Sequence, residues 1–129
     1  MQSASIWREI PQRYRLEAGR CTTCGKVHYP PRRVCDACRG RQFETVLLAP
    51  RGVVQTFTVI RTAAQRFVNQ VPLVAAIVEL EGGVRLVCQV VDVAPEDVHT
   101  GMAVRLEFRK VQQEGISGVI SYGHKAVPA

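Results

Sequence analysis

Four cysteines carry the most specific chemistry in this 129-residue chain. Cys21-x-x-Cys24 and Cys35-x-x-Cys38 form two pairs with ten residues between them. A Cys-x-x-Cys turn aims two sulfurs at one ion, and two such turns complete the tetrahedral thiolate cage of a structural zinc site. Gly25 follows the first pair, where such a turn favours a residue free to take positive φ. Arg39 holds the matching place after the second pair, with Gly40 one residue later. Iron accepts the same four thiolates, so the residue types leave zinc and iron open. Two disulfides are disfavoured in a chain without a visible secretory signal. A thioredoxin-type motif needs a strand-to-helix setting that these cysteines lack. A closed cage of four thiolates leaves no position for water or substrate, so its expected role is structural.

The remaining reactive residues form no catalytic set. Cys88 lies inside an apolar run and reads as a small buried hydrophobe rather than a nucleophile. His28, His99 and His124 are scattered, each without an acid or nucleophile close in sequence. His28 lies near the cysteines, but four thiolates already satisfy an ion. No nucleophile elbow, phosphate loop or dinucleotide glycine pattern is present, which argues against an autonomous enzyme. Contact chemistry is better represented. In Tyr29-Pro30-Pro31-Arg32-Arg33 two prolines stiffen a projecting loop, so less entropy is lost when it docks. Its arginines suit carboxylates of a partner or phosphates of coenzyme A. Tyr29 offers an amphipathic contact, with packing of Tyr29 and Pro30 on the cysteine turns as the alternative. For Trp7, the sole tryptophan, the alternatives are packing on the chain's own core and anchoring a partner subunit.

These residues must be positioned by mainly β structure. Residues 4–18 begin as a short helix with Ser3 or Ser5 as N-cap, and Pro11 limits any helix on either side of it. Beyond it, Arg13–Glu17 alternates like a strand that ends at Gly19. Residues 21–40 are rich in turn formers, and 43–48 read as a strand. From Gly52 onward come runs starting at Val53, Pro72, Val84 and Val104, rich in Val, Ile, Leu, Thr and Phe. Gly82-Gly83 marks a two-residue hairpin between the second and third of these runs. Residues 94–102 predict a turn or single helical turn, and a last run at 118–123 closes the chain. Five or six short strands with almost no helix are buried most economically as a small barrel. A composition shift at Pro50-Arg51-Gly52 places the expected boundary, giving 1–50 and 51–129.

Charge is uneven. Residues 1–51 carry the whole formal +6, whereas 52–129 are neutral. Four thiolates on one divalent ion lower the first part to about +4. With 47% hydrophobic and 22% charged residues the composition is that of a soluble domain. No apolar run reaches the roughly 20 residues of a membrane span. Neither does a signal peptide show at the start, so cytoplasmic placement is the default expectation.

A leading helix, Cys-x-x-Cys-Gly, Tyr29-Pro30-Pro31-Arg32, a second Cys-x-x-Cys and a late Asp97-Val98-x-x-Gly101-Met102-x-Val104 together resemble one family. It comprises the rubredoxin-like zinc-ribbon plus OB-fold proteins that accompany thiolases and other acyl-CoA enzymes. Matching stretches run through Ile6–Gly25, Tyr29–Cys38, Gly52–Thr62, Pro72–Val91, Asp97–Phe108 and Tyr122–Lys125. Arg39 departs from the family's usual glycine, and the closing Lys125–Pro128 is more aliphatic than its common ending. The resemblance implies a ribbon binding zinc through Cys21, Cys24, Cys35 and Cys38, followed by an OB-fold-like barrel. It also implies a non-catalytic subunit of a thiolase, synthase or hydratase complex, with the partner supplying the Claisen chemistry. In such complexes the small subunit bridges enzyme subunits or helps shape an acyl-CoA site, and Trp7 and the 29–33 loop are the expected contacts.

The rival class is single-stranded nucleic-acid binding, which ribbons and OB barrels also serve. It requires a basic groove with exposed aromatic platforms. The strand half is neutral, and Phe57 and Phe108 sit in strand runs where core packing is the expectation.

Overall fold

A computed structural model describes residues 3–113 and 120–129. Two short helices lead the chain: α1 (Ser3–Arg8) and α2 (Ile10–Arg15). Ser3 and Ser5 both fall within α1 rather than ahead of it. Pro11 lies in the first turn of α2, where its missing N–H removes no helical bond. The Arg13 N–H reaches the Glu9 carbonyl at 3.0 Å. Arg13–Arg15 are therefore helical, correcting the strand expected there, and the strand begins only at Glu17. Leu16 ends α2 in the left-handed region (φ 52°) and drops its side chain into the barrel core at 4% exposure. Left-handed backbone costs roughly 1–2 kcal/mol, and burying a leucine returns about as much or more.

Three antiparallel strands follow: β1 (Glu17–Cys21), β2 (Val27–His28) and β3 (Phe43–Leu47), in the order β2-β1-β3. β3 pairs with β1 from Cys21–Phe43 to Glu17–Leu47, and the Leu48 N–H reaches the Leu16 carbonyl at 3.0 Å. β3 thus forms its ladder with the cysteine-bearing sheet.

Beyond Pro50 the chain forms a closed five-stranded barrel: β4 (Arg51–Ile60), β5 (Leu73–Leu80), β6 (Arg85–Val90), β7 (Ala103–Gln113) and β8 (Ile120–Pro128). Neighbours run β4-β5-β6-β8-β7 and back to β4, antiparallel except where β6 meets β8 in parallel at Val90–Ala126. Gly52 permits the tight approach of β4 to β5, since a Cβ there would fall on the Glu79 carbonyl. The β5–β6 turn contains Glu81-Gly82-Gly83, one residue more than expected. The Leu80 N–H bonds the Val84 carbonyl at 2.7 Å, and both glycines take positive φ. Short 3-10 helices lie at Gln65–Gln70, which the sequence reading passed over, and at Pro95–Asp97, where one was expected.

Val54, Val78 and Val104 lie at the barrel centre, with Phe57 and Cys88 packed against the same cluster. Burial pushes the Cys88 thiol up to about 11, which suits a packing residue and not a nucleophile. Two expectations fail here. The run ending at Gly123 continues to Pro128, so Lys125, Ala126 and Val127 are buried members of the closing strand rather than a tail. Phe108 is not a core residue. It remains 47% exposed because β7 and β8 pair on past the point where the other strands cover them.

Candidate metal centre and contact residues

The two cysteine turns are built alike. In the first, the Cys21 N–H bonds the Lys26 carbonyl (2.8 Å) and the Gly25 N–H returns to the Cys21 carbonyl (2.9 Å). In the second, the Cys35 N–H bonds the Gly40 carbonyl (2.8 Å) and the Arg39 N–H returns to the Cys35 carbonyl (2.9 Å). Gly25 (φ 80°) and Arg39 (φ 61°) take the same left-handed place, so Arg39 adopts the strained geometry that glycine would take freely. Gly40 has its own reason. A Cβ there would sit 3.2 Å from the Cys21 sulfur and 3.3 Å from the Cys38 sulfur.

All four sulfurs lie within 4.8 Å of one another, with Cys21–Cys38 and Cys24–Cys35 each at 3.5 Å. Tetrahedral zinc with sulfur at 2.3 Å separates its ligands by about 3.8 Å, so the donor set fits one such ion. Cys21 and Cys35 are buried, while Cys24 and Cys38 face solvent. The Cys38 N–H, helped by His28, holds the Cys35 thiol down at about 5, so it stands ready as a thiolate. His28 is a neighbour of the cage. Its Nε2 lies 3.5 Å from the Cys35 sulfur and 3.8 Å from Asp36, and its ring meets Phe43 edge-on. Lys26 pairs with Asp36 at 2.6 Å across the same edge, each holding the other charged.

The loop between the turns divides its residues. Tyr29 faces inward: its hydroxyl donates to the Gln12 carbonyl (3.1 Å), its ring packs against the barrel core, and burial raises its pKa. Pro30 and Pro31 are exposed, and Pro31 lies beside Gly19. Arg32 and Arg33 are exposed with no ion pair among the described residues. Trp7 is 76% exposed, so it does not pack on this chain's core.

One cluster escaped the sequence reading. Phe108 stacks on Tyr122 (5.5 Å between centroids, 14° between planes), and Tyr14 meets Phe108 edge-on at 4.9 Å. The available signal was the inward-facing period Leu106, Phe108, Lys110, which places a lysine where a core residue would stand if the barrel continued.

Residues 8–44 match the ChsH2 rubredoxin-like zinc ribbon domain, and 45–109 match the ChsH2 C-terminal OB-fold domain. The chain belongs to the ChsH2 family of zinc-ribbon plus OB-fold proteins. Among its ChsH2-like relatives is a DUF35 domain-containing scaffold protein of Methanocaldococcus jannaschii. It is 45% identical over 123 residues, covering 95% of this chain and 87% of the relative. The scaffold protein of the same description from Methanothermobacter thermautotrophicus is 41% identical, covering 98% and 96%. A probable enoyl-CoA hydratase alpha subunit of Thermomonospora curvata is 32% identical over 110 residues, which make up only 34% of that protein. A solved Ltp2-ChsH2(DUF35) aldolase chain superposes with a TM-score of 0.74 at 28% identity, covering 99% of this chain and 95% of that one. No described helix is long and apolar enough to cross a membrane.

Proposed function

We propose that the chain is a non-catalytic accessory subunit of a cytoplasmic acyl-CoA enzyme complex. Cys21, Cys24, Cys35 and Cys38 would hold one structural zinc ion. The partner supplies the carbon–carbon bond chemistry, with a thiolase-type enzyme and Claisen chemistry as the finer reading. The observation that carries this is the direction of the polar equipment: four thiolates are closed on one another, while Trp7, Arg32 and Arg33 are exposed and neither arginine makes an ion pair among the described residues. Relatives described as scaffold proteins, and the aldolase chain with the same fold, support the same reading. Zinc, when bound, offsets half of the thiolates' charge and fixes the two turns, and with them the 29–33 loop. Pro30 and Pro31 then stiffen the loop, and Arg32 and Arg33 meet partner carboxylates or coenzyme A phosphates at the interface.

The test is co-purification from the source organism, with mass spectrometry, elemental analysis and acyl-CoA kinetics. One zinc per chain, an acyl-CoA enzyme in the complex and no turnover by the isolated chain are expected. Replacing Arg32 and Arg33 by alanine leaves zinc content and melting unchanged while weakening the complex about tenfold or raising KM for acyl-CoA. Wild-type affinity and kinetics in that variant would remove the loop from the interface.

The exposed Phe108–Tyr122 stack gives a second reading its specific observation, because single-strand binders use such platforms. Tight, steeply salt-dependent binding of an oligonucleotide by the wild-type chain would favour it.

A further inference from the structure

The two cysteine turns repeat each other in their backbone hydrogen bonds but not in what surrounds the sulfurs. Cys21 and Cys35 open their turns, and both are buried, at 1% and 0% exposure. Each sulfur accepts backbone N–H groups from its own turn, those of Cys24 and Thr23 at Cys21 and those of Cys38 and Ala37 at Cys35. Cys35 has one neighbour more. His28 Nε2 lies 3.5 Å from its sulfur, whereas among the described residues only cysteine side chains hydrogen-bond Cys21, Cys24 or Cys38. The His28 ring is firmly held: it is 5% exposed, sits on β2 opposite Gly19, and meets Phe43 edge-on at 5.8 Å. It lies outside the cage, since the groups that could share an ion are the four cysteines on one side and His28, Cys35 and Asp36 on the other. Both neighbours of Nε2 are acceptors, the Cys35 thiolate and Asp36 Oδ1 at 3.8 Å. A bare ring nitrogen would set its lone pair against two anions, so Nε2 carries the proton. Lys26 Nζ already engages Asp36 Oδ1 at 2.6 Å, which leaves the His28 proton to the sulfur.

We propose that His28 is a positioning residue of the metal centre: its Nε2–H donates to the Cys35 sulfur, draws charge from that thiolate alone, and makes Cys35 the last of the four to react with an electrophile. This role rests on the four cysteines sharing one zinc ion. A hydrogen bond to a ligand sulfur stabilises its charge and lowers its nucleophilicity. Burial by itself treats Cys21 and Cys35 as equals, and the His28 contact separates them. Cys24 and Cys38, which face solvent, are then where an alkylating agent enters the cage. Outer hydrogen bonds to metal ligands are worth about 10–100-fold in metal affinity, so His28 also slows loss of the ion.

The test treats the full zinc-loaded chain with limiting iodoacetamide. The attacking sulfur forms a bond to carbon as iodide leaves, and mass spectrometry of the singly modified chain reads which cysteine reacted. Cys24 and Cys38 should react first and Cys21 next, with Cys35 about tenfold slower than Cys21. His28→Phe keeps a ring against Phe43 but has no N–H. In that variant Cys35 should react as fast as Cys21, and a chelator should remove zinc about tenfold faster. His28→Gln retains a side-chain N–H and should restore part of the protection. Equal rates at Cys21 and Cys35 in the wild type, or an unchanged ratio in His28→Phe, would overturn the assignment. A second readout needs no variant. In the cadmium-substituted wild-type chain, nitrogen NMR should place the His28 proton on Nε2, with a through-bond coupling from that proton to the cadmium nucleus. A ring protonated at Nδ1 alone would overturn the assignment while leaving the metal reading intact. Wild-type chain without stoichiometric metal by elemental analysis would sink the zinc reading, and the role of His28 with it.

Discussion

From Cys21 to Leu47 the only buried residues are Cys21, His28 and Cys35, whereas the barrel buries Val54, Val74, Val78, Leu80, Val104 and Leu106 among others. The first region spends its interior on ligand sulfurs and the histidine beside them, and the second on aliphatic side chains. Two short cross-strand ladders bury little apolar surface in the cysteine region, so its order is expected to depend on an ion held by the four sulfurs. The barrel needs no such help. Neighbouring parts of one small chain can therefore have separate sources of stability. Where they join, at Leu16 and Tyr29, the cysteine region's flank is held in place by the barrel's packing.

Three measurements would break or sharpen that contrast. The largest effect is expected from Cys35→Ser or removal of the ion by chelator. Structural zinc contributes roughly 10–16 kcal/mol of apparent binding energy in small modules. Amides of residues 20–45 should then exchange freely while those of β5 and β6 stay protected, as read by hydrogen exchange and elemental analysis. Simultaneous loss of both regions would refute the separation. Next in size is Leu16→Ala, which empties a core position at a cost of about 2–5 kcal/mol. Barrel melting should fall with zinc content unchanged. A normal melting temperature would mean that Leu16 is not a core residue in solution.

The smallest effect concerns His124. Burial holds its pKa below the ordinary histidine value, against the opposing pull of the Arg13 carbonyl, to which Nδ1 donates at 2.9 Å, and of Glu107. A base with a depressed folded pKa binds its proton more readily when unfolded. Barrel stability should therefore decline as pH falls below about 6.5. The site is half-exposed, so solvent screening keeps the effect under about 1 kcal/mol. His124→Gln should flatten the barrel's melting profile between neutral and mildly acidic pH. An unchanged slope would assign the acid sensitivity to other groups.

Legibility in the sequence followed the locality of the cause. The cysteine turns, the five strand runs and the 3-10 turn at Pro95 arise from neighbours a few residues apart, and each was readable. Arg13–Arg15 misread as strand because three alternating residues carry little weight beside a proline that starts a helix. Phe108 and Ala126-Val127 were misplaced for another reason. Whether each is covered depends on where distant strands stop, and no local pattern states that. The four cysteines whose sulfurs the fold brings together were legible as a set, but the inward turn of Tyr29 was not. It depends on α2 offering the Gln12 carbonyl, and that helix had not been foreseen.

The barrel's one parallel seam, Val90 against Ala126, has a consequence for biosynthesis. β4 through β7 emerge from the ribosome before β8, and the inner wall of β6 and β7 stays open until Ala126 is available to close it. For that interval the nascent chain exposes two apolar strand edges, the kind of surface that draws chaperones or premature pairing between chains. A shortened β8 would prolong this exposure, so truncations there should fail first in soluble yield, before any property of the folded protein can be measured.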